Sequence, residues 1–345
     1  IGLPSGAESN GTDLAPNPAR RRRTESAASA PGRGEAGRGV ETSAGIGTFA
    51  AFGEFDGRLE AADAFGVDSG ATLVKLCIRD RRGARHFATW PSPSTARVGR
   101  LIAELAPDRI GVTGCGSAEI LAGVLADLGR PAANPIEFDA WGRGANELLA
   151  LTGLAKPVPY LLVSIGTGTS ALRVEGDRVE RVGGTALGGG TALGLGYALT
   201  GCRSHDELVA LAARGSRGNV DLLIADIYAQ NAIPIAGEAT AASFGKLARA
   251  LEQERGGEPG RLLPARREDL AAAVMGLVAE NIALLANANA KSAGVSRIVY
   301  GGSTLHENPR LVEVVRLIST VMGFEAIVLP RSGHAGALGA MLLAA

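Results

Sequence analysis

Two stretches of this 345-residue chain have the same predicted order of strands and helices, and this repeat limits the possible folds more than any other feature. Residues 64–128 and residues 160–345 each open with three short strand patterns separated by tight turns. In both, helical patterns of apolar residues then alternate with short apolar strands. Strands that alternate with helices are typical of α/β proteins, so we expect an α/β chain of two similar lobes. The two halves share no visible sequence identity, so the repeat is one of pattern only.

The individual elements follow from the period of the apolar residues, which is 2 in a strand and 3.6 in a helix. Strands are predicted at residues 64–68, 73–79, 85–90, 109–113, 160–165, 171–175, 178–182, 297–300 and 326–329. Helices are predicted at residues 95–105, 117–128, 192–199, 205–213, 221–228, 268–290, 309–322 and 335–345, with one more starting near Ala140. This order favours an N-terminal lobe over residues 46–158 and a C-terminal lobe over residues 159–345.

Residues 1–45 differ in composition from the rest of the chain. Gly, Ala, Ser, Pro and Arg dominate them, and they contain no aromatic residue. Such a segment cannot bury enough apolar surface to offset the entropy lost on ordering it. We therefore expect a disordered low-complexity leader.

The overall composition excludes several classes of protein. Lys and Arg together number 35, as do Asp and Glu, so no basic surface points to nucleic acid. The apolar runs are shorter than the ~20 residues of a membrane span, and residues 1–13 lack the pattern of a secretory signal. Three dispersed cysteines without a Cys-x-x-Cys pair predict neither a disulfide framework nor a cysteine zinc site, and the four histidines lack metal-ligand spacing. We expect a cytoplasmic protein that binds neither nucleic acid nor membrane.

Four glycine-rich loops follow predicted strands, at residues 68–72, 166–170, 183–190 and 301–303. Glycine lets a ligand approach the main chain, and successive amides in such turns form a site for anions. Residues 188–190 also precede a helix, whose N-terminus favours a phosphate. Neither a GxxxxGK[ST] loop nor a GxGxxG loop after a first strand occurs. The sequence therefore predicts phosphate binding by hairpin loops.

Several motifs occur in an order that is specific as a set. They are residues 68–75, 113–114, Glu-Phe-Asp-Ala at 137–140, 164–170, Arg-Val-Gly-Gly at 181–184, 188–191, 194–197, 219–222, 226–228, 241–245, 301–303 and 336–340. The phosphate hairpins resemble those of the superfamily of acetate and sugar kinases, heat-shock chaperones and actin. The whole set, over about residues 64–345, resembles the type II pantothenate kinases.

That resemblance implies two lobes of the actin-like ATPase (ribonuclease H-like) type, with ATP in the cleft between them. It implies transfer of the γ-phosphate of ATP to the primary hydroxyl of pantothenate, the first step of coenzyme A biosynthesis. The family's general base corresponds to Glu137, and a carboxylate suits this task because the attacking hydroxyl must lose its proton. Arg181 matches the arginine that positions pantothenate, and a guanidinium suits its carboxylate. Ser170 is expected to face the substrate.

The nucleotide contacts implied by the resemblance lie in the glycine-rich loops. They are Asp68, Gly70, Ala71, Thr72, Leu73, Val74, Lys75, Thr167, Gly189, Gly190, Thr191, Ala192, Leu193 and Ser303. Mg²⁺ is expected with ATP, and Asp68 would orient its waters, since Mg²⁺ keeps several waters and takes few protein ligands. No residue is expected to bind a metal ion directly.

The resemblance also implies a homodimer that pairs through the C-terminal lobe. The predicted helix at residues 268–290 has an apolar surface that two chains could share. Its large apolar residues are Val274, Leu277, Val278, Ile282, Leu284 and Leu285. The alternative is that this helix belongs to the core of a single chain.

Three positions depart from the family pattern. Ala71 replaces a glycine of the first loop, where its methyl group would crowd a phosphate, and Cys115 replaces a second glycine. His205 stands where an aromatic residue often contacts the nucleotide. Two alternatives stay open: another small-molecule kinase of the superfamily, such as an amino-sugar kinase, and a non-catalytic relative that binds a nucleotide or acyl-coenzyme A. Glu137 argues against the first, because those kinases tend to use an aspartate as base.

Overall fold

The computed structural model describes residue 59 and residues 61–228, 239–255 and 265–344. Within these ranges the chain forms two β-sheets of four and five strands, a two-stranded ribbon, and helices on both faces of the larger sheets. The predicted leader at residues 1–45 lies outside the described residues.

The first sheet begins with the predicted antiparallel meander. Its strands are β1 (Ala62–Ser69), β2 (Leu73–Asp80), β3 (Arg85–Pro91) and β4 (Arg109–Thr113). The helices of this half are α1 (Thr95–Leu105), α2 (Ser117–Glu119, continued by a π-helical segment, Ile120–Leu125) and α3 (Glu137–Leu151). Strand β4 runs parallel to β1, so the order is β3-β2-β1-β4. Beyond β4, a single parallel bridge joins Gly111 to Ala133, where a fifth strand of the sheet would lie.

The second sheet repeats this plan. Its strands and helices, in chain order, are β5 (Tyr160–Ile165), β6 (Thr169–Glu175), β7 (Arg178–Thr185), α4 (Gly189–Thr200), α5 (His205–Ala213), β8 (Leu222–Leu223), β9 (Thr240–Ala242), α6 (Gly245–Arg255), α7 (Arg267–Ser292), β10 (Arg297–Gly301), α8 (Pro309–Val321), β11 (Glu325–Val328) and α9 (Ala335–Leu342). The strand order of the sheet is β7-β6-β5-β10-β11. Counted within each half, the first sheet has the strand order 3-2-1-4 and the second has 3-2-1-4-5, which confirms the predicted repeat.

The apolar core consists of three clusters because successive strand residues point to opposite faces of a sheet. One cluster joins the outer face of the first sheet to α1 and the π-helical segment. Another joins the outer face of the second sheet to α4, α5, α7 and α8. The third joins the inner faces of both sheets to α3 and α9. Helices α3 and α9 therefore form a layer between the two sheets.

Glycine allows α3 and α9 to approach each other at backbone distance. A Cβ atom on Gly144 of α3 would overlap the carbonyl oxygen of Ala335, and one on Gly339 of α9 would overlap that of Ala140. No side chain separates the two helices at these points, so their backbones are in direct contact. This contact fixes the position of one helix relative to the other.

The helix predicted at residues 221–228 is wrong. Strand β8 pairs with β9 there, and a 3₁₀ turn, Ile224–Asp226, follows. The Asp221 carboxylate accepts a hydrogen bond from the Phe244 amide, and the Asp226 carboxylate accepts one from the Leu223 amide. Aspartate side chains that bind nearby amides in this way compete with a helix.

Two helices begin earlier than their apolar pattern predicts. Helix α3 begins at Glu137 rather than near Ala140, and α4 begins at Gly189 rather than at Ala192. The first turn of α4 contains glycines that the sequence assigns to a loop, and contacts with residues 166–167 hold it helical. The sequence did not predict α6 at all.

Helix α7 is long and apolar enough to cross a membrane, but 67% of its most apolar window is buried inside the protein. Val274, Val278 and Ile282 belong to the core cluster of the second sheet. The expectation that these side chains form a surface shared by two chains is therefore wrong. Leu284 of the same helix is 54% exposed.

Candidate active site

The two predicted phosphate hairpins face each other in the structure. The first is the turn between β1 and β2, and the second is the turn between β5 and β6. The hydroxyl oxygens of Thr72 and Thr167 lie 3.2 Å apart, within hydrogen-bond distance, although they are 95 residues apart in sequence. The fold therefore brings loops of both lobes to one site.

The second hairpin is closed by backbone contacts that only glycine permits. The amide of Gly189 donates to the carbonyl of Gly166, and that of Gly190 donates to the carbonyl of Thr167. A Cβ atom on Gly188 would lie 2.7 Å from the Thr167 carbonyl oxygen. The N-terminus of α4 is thereby held against the hairpin, where its partial positive charge favours a phosphate.

Asp68, near the end of β1, is 2% exposed, and its Oδ2 atom has no hydrogen-bond partner among the described residues. The Lys75 ammonium lies 3.6 Å from Oδ2. Cβ atoms on Gly114 and Gly336 would come within 2.8 Å of the two carboxylate oxygens, so both glycines make room for the group. Burial raises the pKa of Asp68, and the charge of Lys75 partly offsets this increase.

A buried carboxylate oxygen that accepts no hydrogen bond from the described residues fits a hydrated cation. In the described ranges no three His, Cys, Asp or Glu side chains converge as a metal site would require. A cation near Asp68 would therefore take few protein ligands and would keep waters or phosphate oxygens, which is the preference of Mg²⁺.

Glu137 begins α3 at the same site and is exposed. Partial desolvation of its carboxylate and, next, the negative charge of Asp68 raise the pKa of Glu137, while Lys75 lowers it. The three charged groups are thus close enough to influence one another. A carboxylate with a raised pKa is a better proton acceptor.

The nearest rival carboxylate, Asp139, lies two residues further along α3. Because α3 has begun at Glu137, the two side chains are about 200° apart around the helix axis. Asp139 therefore points away from Glu137.

Arg181 lies on the face of the second sheet that α3 covers. It pairs with Leu172, whose side chain belongs to the cluster around α3. Helix α3 runs antiparallel to β7: Asn146 donates to the carbonyl of Gly176, and Gly142 packs against Val179. The start of α3 therefore lies toward the end of β7 that carries Arg181.

Ser170 shares that face, since it is two residues from Leu172 on β6. It pairs with Gly184 of β7, over which the Arg181 guanidinium lies. The predicted substrate residues Ser170 and Arg181 are therefore neighbours.

The structure does not bring every predicted nucleotide residue to the site. The side chain of Val74 belongs to the core outside the first sheet, and that of Ala192 belongs to the core outside the second. Val74 and Ala192 could therefore contact a nucleotide only through their backbone groups. Leu73 and Leu193 are half-buried, whereas Ala71 is exposed in the first hairpin.

Ser303 borders a cavity of about 260 Å³ at the ends of β10 and β11. Its walls are residues 302–303, 305–307 and 328–334. Gly302 has φ of 111°, and a Cβ atom there would overlap the Ile165 backbone, so only glycine fits. Burial lowers the pKa of His205, the charge of Asp206 partly offsets this, and His306 of the cavity wall lowers it further. The imidazoles of His205 and His306 are therefore close.

His334, which the sequence analysis did not single out, connects the two lobes at this cavity. It is 6% exposed, and its Nε2 atom lies 3.0 Å from the Thr89 hydroxyl of β3. Burial, followed by the charges of Arg331 and Lys75, lowers the pKa of His334 to about 3. No periodic pattern predicts a contact between residues that are 245 positions apart.

This pKa predicts a loss of stability in mild acid. The unfolded chain binds a proton at His334 below about pH 6.5, whereas the folded chain does not until about pH 3. Between these values stability therefore falls as the pH falls, by about 2 kcal/mol from pH 7.5 to pH 5. His334→Gln removes the titration. In urea unfolding at both pH values, the variant should lose about 2 kcal/mol less than the original protein, and an equal loss would contradict this account.

Comparisons by sequence point to one family. The sequence profile of the Fumble family matches residues 145–343. A type II pantothenate kinase of Oceanobacillus iheyensis is 36% identical over 279 residues, covering 80% of this chain and 98% of that protein. One of Staphylococcus haemolyticus is 33% identical over 281 residues, covering 81% and 98%.

A solved structure shares the fold. Component A of the Acidaminococcus fermentans (R)-2-hydroxyglutaryl-CoA dehydratase superposes with a TM-score of 0.51 at 18% identity, over 81% of this chain and 96% of that one. At this identity the likeness concerns architecture alone, and it agrees with the two-lobed plan of repeated sheets. The two relatives found by sequence are more similar to this chain, and the alignment covers 98% of each of them. On that basis the chain belongs to the type II pantothenate kinase family.

Proposed function

We propose that this enzyme transfers the γ-phosphoryl group of ATP to the primary hydroxyl of pantothenate. The product is 4'-phosphopantothenate, and the reaction is the first step of coenzyme A biosynthesis. The observation that carries the proposal is the grouping of Glu137, Asp68 and Lys75 beside two facing phosphate hairpins in a member of this family.

The nucleotide would lie across both hairpins. Backbone amides of residues 71–72 in the first hairpin are suited to bind phosphate oxygens, and the hydroxyls of Thr72 and Thr167 can donate to them. The N-terminal end of α4 adds partial positive charge beside the second hairpin. The cavity beside Ser303 has the apolar walls and convergent polar groups of a nucleoside site. Asp68 would hold the water ligands of Mg²⁺, which supplies positive charge to the transferring phosphoryl group.

The acceptor would bind where α3 meets β7. The guanidinium of Arg181 can pair with the pantothenate carboxylate, with Ser170 beside it. At the other end of the substrate, Glu137 would accept the proton of the attacking hydroxyl. Lys75 would offset the negative charge that accumulates around Asp68 and Glu137.

A coupled ADP-release assay tests this function. Pantothenate, N-acetylglucosamine and no acceptor are compared at equal ATP and Mg²⁺. We expect ADP release that depends on pantothenate. Release with the amino sugar alone would indicate another small-molecule kinase, and no release above the acceptor-free rate, despite measurable ATP binding, would indicate a non-catalytic relative.

We further propose a cytoplasmic homodimer that pairs through the second lobe. The family resemblance supports it, as do exposed apolar side chains of this lobe such as Tyr197 and Leu284. The buried part of α7 cannot contribute. Light scattering at micromolar concentration should give about twice the chain mass of 35.1 kDa, and a mass near one chain would contradict the dimer.

A further inference from the structure

The indole of Trp141 lies beside the buried carboxylate of Asp68. Trp141 is 7% exposed and lies one turn after Glu137 on α3. A Cβ atom on Gly336 of α9 would lie 2.6 Å from Oδ2 of Asp68 and 3.0 Å from Nε1 of Trp141. Because Gly336 has no side chain, the N–H edge of the indole faces the carboxylate directly.

The opposite edge of the same indole contacts the second sheet. A Cβ atom on Gly301, the last residue of β10, would lie 3.8 Å from Cζ3 of Trp141, which is an ordinary van der Waals distance. The ring also belongs to the apolar cluster between the inner faces of the two sheets. Packing on both sides restricts the indole, so the direction of its N–H is fixed.

The indole nitrogen and the carboxylate oxygen do not hydrogen-bond to each other, because Oδ2 of Asp68 accepts no hydrogen bond from the described residues. Both atoms lie within 3.0 Å of one point, so a single water molecule can span the distance between them. A buried indole N–H usually has a partner, and a buried carboxylate oxygen needs one. A water that accepts from Nε1 of Trp141 and donates to Oδ2 satisfies both atoms.

We propose that Trp141 is a positioning residue for Asp68. Its N–H holds a water that donates to Oδ2, and this water fixes the carboxylate in the orientation that receives the water ligands of Mg²⁺. Groups that orient the residues around a metal ion in this way contribute strongly to metal affinity. The inference rests on the proposed function, in which Mg²⁺ binds with the nucleotide beside Asp68.

Two substitutions separate the N–H of Trp141 from the bulk of its ring. Trp141→Phe keeps a six-membered ring but removes the N–H, whereas Trp141→His keeps an N–H at the matching ring position but removes the bulk. ADP binding is measured by calorimetry at pH 8, with Mg²⁺ and with EDTA. For Trp141→Phe we expect the factor by which Mg²⁺ tightens ADP binding to fall about 10-fold, the lower end of the usual effect of losing such a contact. The affinity in EDTA should change little.

Trp141→His should keep the Mg²⁺ effect within about 3-fold of that of the original protein, because the N–H remains. It should nevertheless unfold at a lower urea concentration, because it buries less apolar surface. Trp90→Phe is the matched control, since it makes the same change to a buried indole on the outer face of the first sheet, and it should leave the Mg²⁺ effect unchanged. Equal losses of the Mg²⁺ effect in both Trp141 variants, or equal losses of ADP affinity with and without Mg²⁺, would overturn the proposal.

A measurement that leaves Trp141 intact covers a failure of the Trp141 variants to fold. The chain has two tryptophans, so in Trp90→Phe the indole of Trp141 gives the only indole N–H signal in a nuclear magnetic resonance spectrum. Adding Mg²⁺ to the ADP complex should shift this signal, and an unchanged signal would contradict the proposal. Neither measurement uses an acceptor. A protein that shows both Mg²⁺ effects but does not phosphorylate pantothenate would therefore refute the proposed function and leave the role of Trp141 supported.

Discussion

Replacing Glu137 by Gln is expected to lower the single-turnover rate of phosphoryl transfer by about 10²–10⁴-fold, the usual contribution of a general base. This corresponds to roughly 3–5 kcal/mol of activation free energy. Gln keeps the shape of the side chain but cannot accept the proton, so ATP affinity should change little. The measurement is rapid-quench phosphorylation of pantothenate with excess enzyme, with ATP binding measured separately.

Asp139→Asn is the matched control, because it changes the other carboxylate in the first turn of α3. Its side chain points away from Glu137, so we expect a rate close to that of the original protein. If Glu137→Gln keeps more than about a tenth of the rate while Asp139→Asn falls to background, the base has been assigned to the wrong residue.

The pH dependence provides a further check on Glu137. The base acts only when deprotonated, so activity should fall as the pH falls through the pKa of Glu137. Desolvation and the charge of Asp68 raise this pKa, so the decrease should begin at a higher pH than for an ordinary glutamate.

Replacing Gly144 by Val should destabilise the protein by about 3 kcal/mol or more, at or above the upper end of the usual cost of overpacking. The new side chain would overlap the Ala335 carbonyl oxygen on α9. Helix α9 cannot retreat, because Gly66 of β1 and Gly111 of β4 contact its backbone on the other side. Urea unfolding followed by circular dichroism measures the loss.

Gly123→Val is the control for Gly144→Val. It introduces the same side chain at a helical glycine that has open space around it, so only the helix propensity changes. A difference below about 1 kcal/mol between the two variants would mean that α3 and α9 can separate without cost.

The sequence alone determined most elements whose residues repeat with a clear period. Strand Tyr160–Ile165 and helices Thr95–Leu105 and His205–Ala213 have the predicted bounds, because the apolar period of 2 or 3.6 extends to their ends. The motifs 137–140 and 181–184 also indicated the family before any contact was known. The repeat of two lobes followed from the order of these elements.

Tertiary structure decided the features that depend on residues distant in sequence. Whether α7 is surface or core, which way Arg181 points, and that Oδ2 of Asp68 accepts no hydrogen bond from the described residues all follow from packing between elements. His334 meets Thr89 across 245 residues, and no local pattern specifies such a pair. A period in sequence reports which face of an element is apolar, but the partner of each face is fixed only when the sheets and helices pack together.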